Sequence, residues 1–242
     1  VLEYQILLPQ QYKSMPWKNG LGTTLEIERY DDKNGLCFRI SQASVVEDGI
    51  FSDFSHLQRT LVLLSGQGIT LEHSHQQQDH SASDVHELTR PLDMAHFDGG
   101  DKTLATLHDG GIEDLNIMVR KTDTTAKVTV MKLGRTLVIS GSNQRLFSAY
   151  YANSDCNLHL KTSNGNAYVV ELPKNSLLRL KVEPWLTNSF NSKSAAPLSD
   201  TSTSNNITST TVTAKIVTTK TLTTLTVTKG AGVFIDITSL TD

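Results

Sequence analysis

The chain has 242 residues, a formal net charge of −3 and two cysteines, Cys37 and Cys156, in different halves. With its 22 basic residues scattered, it offers no patch for nucleic acid or an anionic membrane. Two distant thiols make no disulfide framework, and no apolar run nears the roughly 20 residues of a spanning helix, so a soluble, cytoplasmic protein is expected.

Strand signals dominate from the first residues. Val1 to Leu8 reads as a β-strand, without the basic flank or small-residue cleavage site of an export signal. Thr24 to Tyr30 alternates apolar and polar side chains, Asp31 to Gly35 turns the chain, and Leu36 to Ser41 returns as the partner strand. Arg59 to Leu64 is a more buried strand ended by Ser65 to Gly68, and Ile69 to Glu72 follows it. Gln76 to Ser83 is polar and reads as a hairpin loop. Leu115 to Arg120 is another strand. The polar stretch Lys121 to Ala126 reads as a linker, dividing the chain into units 1–125 and 126–242.

The second half has the same texture. Thr136 to Gly141 echoes Thr60 to Gly66, as two copies of one β unit would. Ala167 to Pro173 and Leu177 to Leu180 flank a turn at Lys174 to Ser176. Thr187 to Thr211 is rich in Ser, Thr and Asn, buries little apolar surface, and reads as a mobile insertion loop. Ile216 to Val227 regains alternation, and Gly232 to Ile237 is a final buried strand. Helical periodicity is absent over any long window. Many short strands with frequent turns point to an all-β sandwich or barrel.

Three blocks carry a resemblance. Met15 to Ile27 holds a Pro16-Trp17-Lys18-Asn19-Gly20 signature; Asp48 to Phe54 runs on to Arg59 to Gly68; Phe97 to Gly99 is followed by Asp114 to Arg120. In order and spacing these resemble the HutD/Ves family, closely over the first half and in texture over the second. The resemblance implies a double cupin, two β-barrels or jelly rolls in one chain. It also implies a role beside the histidine-utilisation enzymes or, in the Ves branch, in stress response.

Pro16 to Gly22 packs an aromatic, a cation, an amide and two glycines into one loop. Trp17 could floor a binding site while Lys18 and Asn19 donate to a carboxylate; equally, Trp17 could plug a barrel end above a tight turn. Arg59 opens an apolar strand, and a buried guanidinium needs an anion, either a ligand or one of Asp48, Asp53 and Asp114. The resemblance places Arg59 in the first barrel and favours the ligand. Asp114, Asn116, Met118 and Arg120 share one strand face, against Leu115, Ile117 and Val119 on the packed one. The resemblance also adds Asn116 to the site.

Metal-binding cupins place a His-x-His pair and a Glu before the glycine turn. Here His73 and His75 come after it and no Glu follows at the expected distance, so His73, His75 and His80 read as a solvated hairpin tip, with adventitious metal binding as the alternative, and neither metal nor other cofactor is expected. Cys37 reads as a small core residue and Cys156 as a near-surface one without an activating partner. The leading expectation is a small-molecule binding protein for an anionic metabolite, with a homodimer as one assembly open to it and with ligand residues Trp17, Lys18, Asn19, Arg59 and Asn116. The alternative is a cupin enzyme, an isomerase, hydrolase or oxygenase, using the same pocket.

Overall fold

A computed structural model describes residues 2–17, 22–74, 84–181 and 223–240. The first half carries β1 (Glu3–Leu7), β2 (Lys13–Pro16), β3 (Gly22–Asp32), β4 (Gly35–Val45), β5 (Gly49–Ile50), β6 (Leu57–Ser65), β7 (Ile69–Ser74), β8 (Asp84–Leu88), β9 (Met94–Asp98), β10 (Lys102–Leu107) and β11 (Ile112–Arg120). The second carries β12 (Thr124–Met131), β13 (Thr136–Ile139), β14 (Arg145–Ala152), β15 (Cys156–Thr162), β16 (Ala167–Leu172), β17 (Leu177–Lys181), β18 (Thr223–Lys229) and β19 (Gly232–Ser239). The expected loops at Gln76 to Ser83 and Thr187 to Thr211 lie outside the described residues. Among the described residues no helix is long and apolar enough to cross a membrane.

Each half is a pair of antiparallel sheets. In the first, β2-β3-β4-β11-β6-β9 faces β5-β10-β7-β8. In the second, β1-β17-β14-β19-β12 faces β13-β18-β15-β16. The two repeat one plan. The order β4-β11-β6-β9 recurs as β12-β19-β14-β17, and β5-β10-β7-β8 recurs as β13-β18-β15-β16. The duplication is therefore present, but the echo of Thr60 to Gly66 in Thr136 to Gly141 does not carry it. By position β6 matches β14, whereas β13 is a short edge strand matching β5. Similar β-branched runs arise wherever a strand is half buried, so local likeness does not report equivalence.

Alternation explains the layers. On β4, Phe38 and Ile40 point one way while Arg39, Ser41 and Ala43 point the other. Phe38, Ile40, Leu115, Ile117 and Val119 join Phe147, Ala149, Tyr151, Ile235 and Ile237 in a core between the two large sheets, which therefore pack back to back. Phe38 and Phe147 meet at 5.2 Å between centroids. Polar contacts pin the same seam: the Tyr151 hydroxyl donates to Gln42 Oε1 at 3.0 Å, and Arg179 pairs with Glu28 at 2.9 Å. Burial raises the Glu28 carboxyl above its ordinary value despite Arg179.

Two local expectations change. The stretch Lys121 to Ala126 is not a linker, because Thr124 already opens β12 opposite Ser239. Its polar residues alternate along an edge strand, and alternation on an edge looks like loop composition. Cys156 is buried rather than near the surface, with its thiol beside the Tyr150 hydroxyl at 3.4 Å and the carbonyls of Ser154 and Ala231.

Candidate anion-binding pocket

The inner face of the first half opens into a pocket of about 630 Å³. Strand β11 supplies one row of its lining: Asp114, Asn116 and Met118 line the pocket while the residues between them lie in the core behind. Arg120 shares their parity but leaves the row. Its guanidinium is forked between Asp32 and Asp123, with contacts of 2.6 to 2.9 Å.

Arg59, on β6, stands opposite Met118 on one side and Phe97 on the other. It is 5% exposed. Its Nη2 donates to Asn116 Oδ1 at 2.7 Å, and the Asn116 Nδ2 in turn donates to Asp114 Oδ1. Its Nε is buried and meets no acceptor. The rings of Phe51, Phe54 and Phe97 surround its Cζ at 5.2, 5.5 and 4.9 Å. None of the three aspartates considered from the sequence forms an ion pair with it: Asp48 instead accepts the Leu107 N–H at 2.7 Å, Asp53 is exposed, and Asp114 is reached only through Asn116. Burial lowers the Arg59 guanidinium to about 10, against the attraction of Asp114. Burial likewise raises Asp114 to about 7, against the attraction of Arg59 and the Asn116 hydrogen bond.

A second cation lies on the same face. Arg39 pairs through Nε with Glu26 Oε2 at 2.8 Å, both side chains being largely buried. At the mouth, Trp17 Nε1 donates to Thr24 Oγ1 at 2.8 Å. The indole lies on Gly22, where a Cβ would come within 2.7 Å of Ser44 O and 2.9 Å of Trp17 Cε3. The structure thus brings Trp17, Arg59 and Asn116 to one pocket; Lys18 and Asn19 lie outside the described residues. It adds Arg39, Phe51 and Phe54, which sequence reasoning missed, and places in the same lining Asp114, which the sequence offered only as a partner for Arg59 on the Asn116 face. Strand parity with Ser41 was the available signal for Arg39; the two phenylalanines sit on a loop and carry none.

The polar lining of two guanidiniums, an amide, hydroxyls and one carboxyl does not suit a metal cation, and no group of three or more His, Cys, Asp or Glu among the described residues could hold one. His73 is not part of a solvated tip, being 1% exposed. Its Nδ1 meets Thr103 Oγ1 at 2.9 Å, its Nε2 meets His86 Nδ1 at 3.1 Å, and its ring lies 4.5 Å from that of Phe97. A polar strand end reads as exposed until the facing strands that cover it are known. His75 and His80 lie outside the described residues.

Duplicated paired sheets around an inner pocket define a double cupin. A single-residue variant of the oxalate decarboxylase of Bacillus subtilis superposes with a TM-score of 0.53 at 7% identity, over 97% of this chain and 76% of that one, a likeness of fold alone. HutD from Pseudomonas fluorescens SBW25, solved under a formate condition, superposes with a TM-score of 0.64 at 19% identity over 98% of both chains. In sequence, an uncharacterized 21.2 kDa protein from the hutC 3′ region of Pseudomonas putida is 30% identical over 181 residues, 74% of this chain and 87% of that protein. The protein Ves of Citrobacter koseri is 34% identical over 128 residues, 52% of this chain and 62% of Ves. The HutD family profile matches residues 9–196, and the chain belongs to that family.

Proposed function

We propose that the first-half pocket binds a small carboxylate and that the protein serves histidine utilisation as a regulatory or accessory binding protein. Arg59 supports this most. It is a guanidinium held in an aromatic collar, with one nitrogen on an amide, one buried without an acceptor and no carboxylate in contact. A carboxylate would supply parallel acceptors to such a fork. The aromatic and methionine lining suits a flat or short organic acid. The position of the Pseudomonas putida relative beside hutC, and the formate condition of the solved HutD, fit the same reading.

Isothermal titration against urocanate, formylglutamate and formiminoglutamate tests it. At least one is expected to bind with Kd below about 1 mM, and the Arg59→Met protein to lose that binding. If none binds, the ligand class is wrong.

A further inference from the structure

We propose that Asp114 takes up a proton as an anion enters the first-half pocket, so that the site binds a carboxylate together with H⁺ rather than the bare anion. The inference rests on the carboxylate-binding reading of the same pocket.

The geometry of one amide carries it. Asn116 stands between a cation and an acid, its oxygen toward Arg59 and its nitrogen toward Asp114. With the pocket empty, Asp114 balances Arg59 at one side chain's remove. Asp114 is 1% exposed and accepts no other side-chain hydrogen bond among the described residues. The groups facing it are few. Arg59 comes from β6, and Arg39 with its partner Glu26 comes from β4 and β3. Glu113 is its neighbour on β11 and meets Ser65 instead. From the loop after β5 the pocket receives Phe51, Ser52 and Phe54, while Asp53 and His56 are exposed.

A ligand carboxylate against Arg59 becomes the nearer counter-charge. The enclosed site then holds two anions around one uncommitted cation, because Arg39 already has Glu26. Excess charge in a buried site is relieved at the group that gains least from staying ionised. That group is Asp114, which touches no cation. The proton comes from bulk water, and the charge change on binding is zero. Burial already lifts the Asp114 carboxyl to about 7, so the step falls within reach of neutral pH.

The test uses formate, the smallest carboxylate, as the probe, on the full chain with ¹³C-labelled aspartate. One carboxyl resonance, missing from Asp114→Asn, should titrate near 7 in the free protein and about one unit or more higher with saturating formate. Formate affinity should fall between the free and the bound titration, by about tenfold for each unit that separates the two, and Asp114→Asn should remove that fall. Calorimetry on the native protein in two buffers of different ionisation enthalpy reads the proton directly, and so needs no variant. If formate binds and Arg59→Met abolishes that binding, yet no proton is taken up, the coupling is wrong and the carboxylate pocket stands. If formate produces no Arg59-dependent change at all, the pocket reading fails and this inference with it.

Discussion

Arg59 and Arg145 stand on equivalent strands of the two halves, and only Arg145 carries a carboxylate against its guanidinium. Arg145 meets Asp236 through Nε at 2.6 Å and Nη2 at 2.9 Å, and the Ser148 hydroxyl closes on the same carboxylate at 2.7 Å. Arg59 has an amide in that place and an acid behind it. The interior of the second half is filled by Tyr150, Phe234, Leu178 and Leu180. One copy of the unit has thus closed its arginine, and the other has left its arginine beside open space.

Arg59→Met keeps the bulk and removes the charge. Carboxylate binding is expected to weaken by about 2 to 5 kcal/mol, as when one partner of an enclosed charge pair is removed. The melting temperature should hold or rise, since a guanidinium with an unmet buried N–H is removed and Asp114 becomes neutral. A titration and a thermal melt on the one variant check both. Strong destabilisation would mark Arg59 as structural.

Arg145→Met should behave in the opposite way. It leaves Asp236 and Ser148 without their partner in a mostly buried pair, a loss of about 3 kcal/mol. Carboxylate binding in the first half should be unchanged. Denaturant unfolding beside the same titration separates the two arginines.

Gly22→Ala tests the mouth. The added Cβ would press on the Ser44 carbonyl and the Trp17 ring, and the ring is the part able to move. Expected are a red-shifted tryptophan emission and carboxylate affinity weakened by about 1 to 2 kcal/mol, with the fold retained. Unchanged emission would show that Trp17 does not rest on Gly22 in solution.

Asp114 also leaves a mark on stability without ligand. Its folded value is raised to about 7, above that of an ordinary aspartate, so its neutral form is the one the fold favours. Stability from this group is complete below the unfolded value and declines as pH rises through about 7. Asp114→Asn lacks that decline, so its advantage over the native protein should grow from pH ~5 to pH ~8 by at most about 3 kcal/mol, the two units between pH ~5 and the folded value of about 7. Denaturant midpoints at the two pH values check it. An advantage that shrinks with pH would show Asp114 to be ionised and well paired.

The sequence disclosed what depends on a single strand. Alternation and short apolar runs bounded by turns located β3, β4, β6, β11, β16, β17 and β19 to within a few residues, and strand parity put Asn116 on the opposite face from Leu115 and Ile117. What it withheld depends on partners across space. Arg39 enters the pocket because its strand pairs Met118 of β11, and His73 is covered because His86 and Phe97 close over it. The relay from Arg59 through Asn116 to Asp114 joins residues 57 positions apart, and no local pattern encodes a register. The burial of Cys156 likewise follows from Ala231, 75 positions away.

Strand β1 pairs with β17, not with its neighbours in sequence, and the Glu3 carboxylate meets Lys181 across 178 positions. During synthesis this strand emerges early and must wait until its template has left the ribosome. The unit from β2 to β11 has all of its own pairings by then, so β1 docks late, onto a finished edge. Long-range closure of this kind slows assembly. Severing the chain between Arg120 and Thr124 would therefore not release two self-sufficient pieces: the second would have a bare edge at β17, open to a strand from another molecule.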